Sequence, residues 1–205
     1  MKVAVVGGTG DFGLALAQRL AEAGDQVVVG SRDAERAQAK AAEAGAFGGA
    51  ANADAVRNVD LVVLAVKAEA ALPTAQELAD AIGETPVLSV ASGLRFTKTG
   101  VHPTAEDRSI AERTQALLRA PVSAGLHSLA AVSLAGGKAD GDALVCGDDT
   151  LAKGLALELA AKVVTGRALD AGPLTSARAL EGMTAVIVNL NRRYKGHAGF
   201  RIVGL

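Results

Sequence analysis

The chain has 205 residues, half of them hydrophobic and 21% charged, and its 21 Lys and Arg against 22 Asp and Glu leave a formal net charge of −1. This composition supports a substantial core, which excludes intrinsic disorder, and the charge balance argues against a protein that coats nucleic acid. One Cys excludes a disulfide framework and a Cys-based zinc site, while four Phe, one Tyr and no Trp exclude an aromatic cage or stacking platform for a ligand.

Short β-rich runs then alternate with Ala- and Leu-rich helical stretches, a pattern typical of a parallel sheet with helices on both faces. In chain order it predicts a strand at 2–6, a helix at 11–23, a strand at 26–29, a helix at 34–44, a strand at 60–66, a helix at 70–82, a strand at 86–91, a helix at 110–118, strands at 122–125 and 143–146, a helix at 149–162, an extended segment at 166–171 and a long helix at 175–191. The segments 45–53 and 94–106 are predicted to be mobile loops.

These elements predict an α/β fold with a Rossmann-type, doubly wound, mostly parallel sheet and a C-terminal helical and extended appendage. We expect a dinucleotide-binding domain at residues 1–147 and an extension at residues 148–205. The last helix follows Pro173, and Thr175 or Ser176 is expected to cap it. The apolar surface of this helix and of the tail after it indicates a homodimer.

The start of the chain carries no recognisable targeting signal. Its first apolar stretch is shorter than the hydrophobic region of a signal peptide, and no window approaches the roughly 18 consecutive apolar residues of a membrane span. Three His and one Cys offer few metal ligands. We therefore expect a cytoplasmic protein that binds neither a membrane nor a metal ion.

A glycine-rich turn follows the first predicted strand and opens the first predicted helix. Residues 8–13 read Gly-Thr-Gly-Asp-Phe-Gly and fit the G-x-G-x-x-G pattern in the context that dinucleotide binding requires. We expect Gly8 to allow the tight turn, Gly10 to let a pyrophosphate approach the backbone, and Gly13 to let helix and strand lie close together. The amide groups at the helix start then bind the anion. The alternative is a strand–helix turn without a ligand.

The end of the second predicted strand indicates which dinucleotide binds. Folds of this kind that bind NAD place Asp or Glu there to accept a hydrogen bond from the ribose 2′-hydroxyl. This chain has Ser31 and Arg32 instead, and Arg36 lies one helical turn further on. A hydroxyl and two guanidinium groups suit the 2′-phosphate of NADP. The alternative is that both arginines lie on a solvated helix face and pair with Asp33 and Glu35.

The chain lacks the catalytic signatures of several nicotinamide-dependent families. Short-chain reductases need Tyr-x-x-x-Lys for proton transfer, but the single tyrosine is Tyr194 and Ala198 stands four residues after it. No lysine has the Asn four residues later that 3-hydroxyacid dehydrogenases use, and the chain is too short for the helical domain of a metal-assisted reductoisomerase. A reductase that works without a side-chain acid or base remains.

Over essentially its whole length the chain resembles the NADPH-dependent reductases of coenzyme F420, a deazaflavin hydride carrier. The resemblance is carried by the runs KVAVVGGTG, VVGSR, VCGDD, LDAGPL and ARALE, which begin at residues 2, 28, 145, 169 and 177. The third and fourth runs are more specific than the glycine turn, although related flavin-using metalloreductases share them. The resemblance implies hydride transfer from nicotinamide C4 to deazaflavin C5 between two stacked rings, which is catalysis by proximity.

The resemblance also implies a set of binding residues. These are Thr9, Gly10, Asp11 and Phe12 at the pyrophosphate, Ser31, Arg32 and Arg36 at the 2′-phosphate, Val66, Lys67 and Ala70 along the nicotinamide ribose, and Ala91 with the segment from His127 to Ala131 where nicotinamide meets deazaflavin. The extension 148–205 is expected to complete the deazaflavin site and to form dimer contacts. His127 is expected to donate a hydrogen bond to a deazaflavin carbonyl, the alternative being a packed or exposed histidine.

Two departures from the family pattern leave the second substrate open. Lys67 stands where the family often has proline, and residues 45–59 are shorter and richer in glycine than the family's loop. Besides NADPH and F420 as partners, two functions therefore stay open. One is NADPH-dependent reduction of a flavin or a small metabolite, and the other is a non-catalytic NADPH-binding redox sensor.

The end of the chain is basic. Arg192, Arg193, Lys195 and Arg201 follow Glu181 with no further acidic residue. Such a cluster suits the phosphodiester and γ-glutamate tail of F420. The alternative is a solvated C-terminus at a helix end, where the helix dipole favours cations without any ligand.

Overall fold

Ten strands and eight α-helices follow one another in the computed structural model, which describes all 205 residues. In chain order they are β1 (Lys2–Val6), α1 (Asp11–Glu22), β2 (Gln26–Ser31), α2 (Ala34–Glu43), β3 (Gly48–Ala51), α3 (Asn52–Ala55), β4 (Leu61–Leu64), α4 (Ala68–Ile82), β5 (Val87–Ser89), β6 (Leu94–Thr97), β7 (Gly100–Pro103), α5 (Ile110–Gln115), β8 (Val122–Gly125), α6 (Ala131–Ala135), β9 (Ala143–Gly147), α7 (Thr150–Val163), β10 (Ala168–Asp170) and α8 (Ala177–Tyr194). Every predicted helix and strand is present. None of the helices combines the length and the apolar composition that crossing a bilayer requires.

Eight strands form one sheet in the order β10-β9-β8-β5-β4-β1-β2-β3, and β6 and β7 form a separate antiparallel hairpin. All neighbours in the large sheet are parallel except β8 and β9. The predicted doubly wound, mostly parallel sheet is therefore confirmed. The strand order reverses between β1 and β4, and sheets of this class bind ligands at such a point, beyond the carboxyl ends of the strands.

The central strand β1 is buried on both faces because its side chains alternate between two hydrophobic clusters. Val3 and Val5 belong to the cluster built with α1 and α7. Ala4 and Val6 belong to the opposite cluster, built with α4 and α8. Successive side chains of a strand point to opposite faces, so a strand covered by helices on both sides needs an unbroken apolar run.

The chain after β9 contributes to the same sheet before it forms a separate helix. α7 packs in the cluster of β1 and α1, and β10 pairs with β9 at the sheet edge. The appendage is therefore the helix α8, which a 3₁₀ turn at Leu174–Ser176 joins to the sheet, and the predicted extended part is the edge strand β10. The division at residue 147 into two domains stays a prediction.

Two segments predicted to be mobile loops contain regular structure. Residues 45–53 hold β3, which approaches α2 so closely that a Cβ atom on Gly49 would collide with the carbonyl of Ala37. Residues 94–106 hold the β6–β7 hairpin, whose register pairs Leu94 with Pro103. β3 shows no alternating apolar pattern because it is Gly- and Ala-rich, while β6 alternates over only the 4 residues Leu94–Thr97 and the hairpin is largely exposed.

The predicted cap of α8 is wrong. Ser176 directly precedes the helix, but its backbone is already helical (φ −65°, ψ −20°) and its side chain makes no capping bond. A capping side chain needs extended backbone, which the chain adopts only at Pro173 (φ −70°, ψ 165°), before the 3₁₀ turn. The turn therefore leads into α8 without a side-chain cap from Thr175 or Ser176.

Candidate functional site

A cleft of about 470 Å³ lies beyond the carboxyl ends of β1, β2 and β4. It is lined by Gly7, Thr9, Gly10, Ser31, Arg32, Arg36, Asn52, Ala65, Val66, Lys67, Glu69, Ala70 and Thr74. Eight of the predicted site residues thus lie together, namely Thr9, Gly10, Ser31, Arg32, Arg36, Val66, Lys67 and Ala70. Gly8, Asp11, Phe12 and Gly13 belong to the turn and helix beside the cleft, whereas Ala91, His127 and Ala131 lie outside its lining.

The turn between β1 and α1 depends on three glycines that each make a different close approach. Gly7, which directly precedes the predicted turn residue Gly8, has the left-handed backbone (φ +81°), and a Cβ atom there would lie 2.6 Å from Ala65 O. A Cβ on Gly8 would lie 2.8 Å from Val5 O, and one on Gly13 would lie 2.5 Å from Gly7 O. The turn is therefore packed tightly against the ends of β1 and β4, as dinucleotide-binding turns require.

Gly13→Ala is expected to destabilise the protein by roughly 1–3 kcal/mol, because the new methyl group meets backbone that cannot move aside. A matched control is Gly154→Ala in α7, where a Cβ meets nothing within 4 Å. That change is expected to raise stability by about 0.5–1 kcal/mol through helix propensity. Thermal unfolding of both variants checks the pair, and equal effects of the two would contradict close packing at Gly13.

The start of α1 faces the cleft with unpaired amide groups. Gly10 precedes the helix with extended backbone (φ −85°, ψ 163°), and no side chain caps it. The first bond of the helix runs from Leu14 N–H to Gly10 O, so the amides of residues 11–13 are left for a ligand. The ring of Phe12 packs against the hydrophobic cluster of β1, so Phe12 contributes its backbone and not its ring. This end of the helix suits a pyrophosphate.

Two unpaired arginines stand at the end of β2. Neither Arg32 nor Arg36 forms a salt bridge, so the alternative in which they pair with Asp33 and Glu35 is not what the structure shows. Asp33 instead caps α2, its carboxylate accepting from Arg36 N–H at 3.1 Å. Ser31 Oγ accepts from Asp33 N–H at 3.2 Å, which leaves its hydroxyl hydrogen free. These groups place three donor groups at the end of β2, a set that suits an anion.

Asn52 is a candidate site residue that was not predicted from the sequence. It lines the same cleft, and its Oδ1 atom is buried without a hydrogen-bond partner. A Cβ atom on Gly30 would lie only 3.0 Å from this oxygen, so the end of β2 leaves it room. A buried oxygen without a donor is costly unless a ligand supplies one. The signal in the sequence was weak, because Asn52 follows a Gly- and Ala-rich stretch that reads as a loop.

A small apolar wall lies beside this cleft. Ala91 is buried after β5 and packs with Ala71 and Ile110, and Val66 and Ala68 lie against them. Val66 therefore belongs both to the cleft and to the wall. Small aliphatic side chains here leave space beside the cleft without offering any charge.

His127 is held in a chain of hydrogen bonds to α8. Its Nδ1 atom lies 3.1 Å from Ser92 Oγ, which lies 2.9 Å from Thr184 Oγ1, and Thr184 Oγ1 lies 2.8 Å from the carbonyl oxygen of His127. Burial lowers the pKa of His127 to about 4, so the ring is neutral at physiological pH. The Nε2 atom is buried without a partner.

A single assignment of hydrogens satisfies all three bonds. The carbonyl only accepts, so Thr184 donates to it, Ser92 donates to Thr184, and Nδ1–H of His127 donates to Ser92. Nε2 of the neutral ring then carries a lone pair and only accepts. The expected hydrogen bond from His127 to a deazaflavin carbonyl does not fit this arrangement, because the ring has no free donor. As a contact residue, His127 stays a prediction.

The two ends of the segment from His127 to Ala131 contact different parts of the molecule. His127 faces a cavity of about 10 Å³ with Leu180, Met183 and Phe200. Ala131 begins α6, which packs against α1 on the other side. The structure therefore does not bring Ala131 and the His127 ring into one lining.

Glu181 joins α8 to the loop after β5. Its side chain is 2% exposed, and its carboxylate accepts from Gly93 N–H at 3.2 Å and Ile110 N–H at 2.7 Å. Burial raises the pKa of Glu181, and the amide donors oppose that shift. Because Gly93 follows Ser92 directly, this carboxylate fixes the backbone that presents the Ser92 hydroxyl to Thr184.

Comparison with known proteins identifies the family. The family model "NADP oxidoreductase coenzyme F420-dependent" matches residues 2–93. The F420-dependent NADP reductase of Methanothermobacter thermautotrophicus is 36% identical over 226 residues, covering 100% of this chain and 96% of the relative. That of Methanocaldococcus jannaschii is 33% identical over 223 residues, covering 100% and 99%. The chain belongs to the family of F420-dependent NADP reductases.

Solved structures agree with this family. A structure of a candidate F420-dependent NADP reductase from Arthrobacter sp. FB24 superposes with a TM-score of 0.83 at 25% identity, covering 100% of this chain and 99% of the other. A pyrroline-5-carboxylate reductase from Coxiella burnetii shares the fold, with a TM-score of 0.67 at 15% identity over 95% of this chain and 65% of the other. The resemblance inferred from the sequence is thereby confirmed.

Lys67 stands at a position where the family often has proline, and the backbone there accepts either residue. This residue precedes α4 with φ −61° and ψ 152°, which are angles that proline also adopts. The substitution therefore leaves the backbone unchanged. It adds one exposed cation to the lining of the cleft, close to Ala70 and opposite the glycine turn.

Proposed function

We propose that this protein transfers a hydride between NADPH and coenzyme F420, in either direction. The observation that carries the proposal is the cleft at the ends of β1 and β2, where an uncapped helix start and two unpaired arginines face the same space. This pairing fits the two anionic groups of NADP, its pyrophosphate and its 2′-phosphate. The family of the chain supports F420 as the second coenzyme.

The residues of the cleft suit NADP in chemistry as well as in position. Thr9, Gly10, Asp11 and Phe12 would hold the pyrophosphate through backbone amides, and Gly8 and Gly13 would keep the turn close to β1. Ser31, Arg32 and Arg36 would hold the 2′-phosphate, and the orphaned Oδ1 of Asn52 would accept from a hydroxyl or amino group of the coenzyme. Val66, Lys67 and Ala70 would line the ribose on the nicotinamide side.

The acceptor side of the site needs residues that position the two rings and exclude water. It needs no side chain that acts as an acid or a base. When bound, NADPH supplies the hydride from nicotinamide C4 and F420 receives it at deazaflavin C5. Ala91 and Val66 would form a small apolar wall at this point, with His127 and Ala131 further along. The neutral His127 ring and the hydroxyls of Ser92 and Thr184 hold no proton that titrates near pH 7, which suits a transfer that depends on proximity.

The test is a reaction of the protein with NADPH and oxidised F420, followed through the visible absorbance of the deazaflavin. We expect bleaching that depends on both protein and NADPH, and much weaker turnover with NADH. Reduction of FMN or FAD but not F420 would favour the alternative of a flavin or small-metabolite reductase. Binding of NADPH with no turnover of any acceptor would favour a redox sensor.

The chain's assembly and location belong to the same proposal. The proposed form is a cytoplasmic homodimer, and exposed apolar side chains at the end of α8 and in the tail support the dimer, since Tyr194 is 73%, Val203 87% and Leu205 86% exposed. The extension 148–205 would then serve both the acceptor site and the contact between copies. Sedimentation velocity of the full chain tests the dimer, and a monomer at micromolar concentration would contradict it.

A further inference from the structure

We propose that a basic groove between α8 and the tip of the β6–β7 hairpin binds the anionic tail of the acceptor coenzyme, a flexible chain that carries a phosphodiester and carboxylates. The inference rests on the proposed function. The groove has a volume of about 540 Å³ and is lined by Lys98, Thr99, Gly100, Val186, Asn189, Leu190, Arg192 and Arg193. No acidic residue belongs to this lining.

The three cations of the groove have no partner within the protein. Lys98, Arg192 and Arg193 form no salt bridge, so like charges face one space without compensation. A bound polyanion relieves this repulsion. The helix dipole explains cations in the last turn of α8, but it does not explain Lys98, which comes from the hairpin.

The structure also separates this groove from the rest of the basic tail. Arg201 pairs with Asp140 at 2.9 Å, so it is not part of the cluster. Lys195 ends α8 in the left-handed conformation (φ +52°) and does not line the groove. Of the four basic residues that follow Glu181, only Arg192 and Arg193 line the groove. The fold brings Lys98 of the hairpin beside them.

The wall of the groove is held in place before any ligand binds. Asn189 Oδ1 accepts from Val101 N–H at 2.8 Å, and its Nδ2 donates to Val101 O at 2.7 Å, which joins α8 to β7. At Gly100 (φ +141°) a Cβ atom would lie 2.9 Å from Asn189 Oδ1. Thr97 Oγ1 donates to Gly100 O at 2.9 Å and closes the tip. A preformed wall lowers the entropy cost of ordering a flexible chain.

The groove lies along a path that leaves the acceptor side of the site. Thr104 N–H donates to Gly93 O at 2.9 Å, so the base of the hairpin is beside Ser92, and α8 passes the same place at Thr184. From Thr184 to Arg192 the helix rises about 12 Å, and from Gly93 to Lys98 the strand extends about 16 Å. An extended ribityl chain together with the phosphodiester that follows it spans a distance of this order, and Val186 and Leu190 offer the chain apolar contact before the anionic groups meet the cations.

The test compares F420 with its tail-less analogue, which ends at the ribityl chain. In the Arg192→Gln/Arg193→Gln double variant we expect the KM for F420 to rise about 30-fold at low salt, because exposed charged hydrogen bonds contribute about tenfold or less each. The KM for the tail-less analogue, the KM for NADPH and kcat should each change less than about twofold. High salt should lower the advantage of F420 in the wild type but not in the variant.

Arg119→Gln is the control, since Arg119 is exposed, unpaired and outside the groove, and it should leave all four constants unchanged. Equal changes for F420 and its analogue, or no change, would overturn the proposal. So would a change of oligomeric state in light scattering with an unchanged KM, because a second copy of the chain would then occupy the groove. If the wild type has the same KM for F420 and for the tail-less analogue, the proposed role of the groove is wrong but the proposed function stands. If the wild type turns over neither acceptor, the proposed function is wrong as well.

Discussion

Replacing both Arg32 and Arg36 by alanine is expected to raise the KM for NADPH about 100-fold while the KM for NADH changes less than about threefold. Hydrogen bonds to charged groups contribute about 1.5–3 kcal/mol each, and exposure of both side chains lowers that figure, so about 2.7 kcal/mol for the pair corresponds to the expected factor. The measurement is the steady-state rate of F420 reduction with each nicotinamide. Selectivity for NADPH should thus fall by more than tenfold.

Two further variants accompany that experiment. Ser31→Ala is expected to have a small effect, and Arg119→Ala is the control that should have none. Ser31 has one free hydroxyl hydrogen, so its loss should raise the KM for NADPH only a few-fold. Arg119 lies outside the cleft, so its replacement tests the effect of removing a surface charge. Equal rises of the KM for NADPH and for NADH in the double variant would mean that the arginines act on the pyrophosphate or on the fold, and the assignment of the 2′-phosphate would be wrong.

Features whose partners are near in sequence were predictable. The glycine turn, the ends of β1 and β2 and the pair Arg32 and Arg36 lie within one strand–helix–strand unit, and their spacing alone indicates an anion site. The roles of individual glycines were not predictable in the same way. Gly7 takes the left-handed backbone because β4 brings Ala65 against it, and that contact joins residues 58 positions apart in the chain.

Features that are fixed by residues far away in the chain could not be predicted from the sequence. The hairpin at residues 94–103 is largely exposed and alternates apolar and polar residues only over Leu94–Thr97, and Asn189 fixes it from 88 residues away. Glu181 stands in a run that resembles the family, but nothing local shows that its carboxylate holds Gly93 and Ile110. Propensity and pattern report neighbours along the chain, whereas these positions are determined by tertiary contacts.

Glu181→Gln is expected to lower the stability of the protein by about 2 kcal/mol and its Tm by about 4–8 °C. The buried carboxylate offers two acceptors to the amides of Gly93 and Ile110, and glutamine turns an N–H group toward one of them. The loop with Ser92 then loosens, so the KM for F420 should rise more than the KM for NADPH. Differential scanning fluorimetry and steady-state kinetics check both effects.

The pH dependence of the stability loss in Glu181→Gln shows whether its cause is the removal of a buried titrating carboxylate. The loss of a contact that does not titrate would not depend on pH. Burial raises the pKa of Glu181 in the folded state, so the fold binds this proton more tightly than the unfolded chain does, and the group's contribution to stability increases as pH falls below neutral. Asp142 acts in the opposite direction, because hydrogen bonds from Arg167 hold its pKa below the usual range and its contribution is lost in acid. Only the difference between wild type and Glu181→Gln isolates the first effect.

That difference should widen from pH 7 toward the ordinary range of a carboxyl group, since glutamine does not titrate and the variant keeps Asp142 unchanged. Glu158→Gln provides the control, because Glu158 is exposed in α7 and its pair with Lys162 at 2.8 Å is worth at most about 0.5 kcal/mol. If the gap between wild type and Glu181→Gln instead narrows in acid, the amide hydrogen bonds of the clamp between α8 and the loop of Ser92 outweigh burial and lower the pKa of Glu181, and a constant gap would mean that folding does not shift this pKa. A widening gap together with a selective rise of the KM for F420 would tie that clamp to the acceptor side of the site.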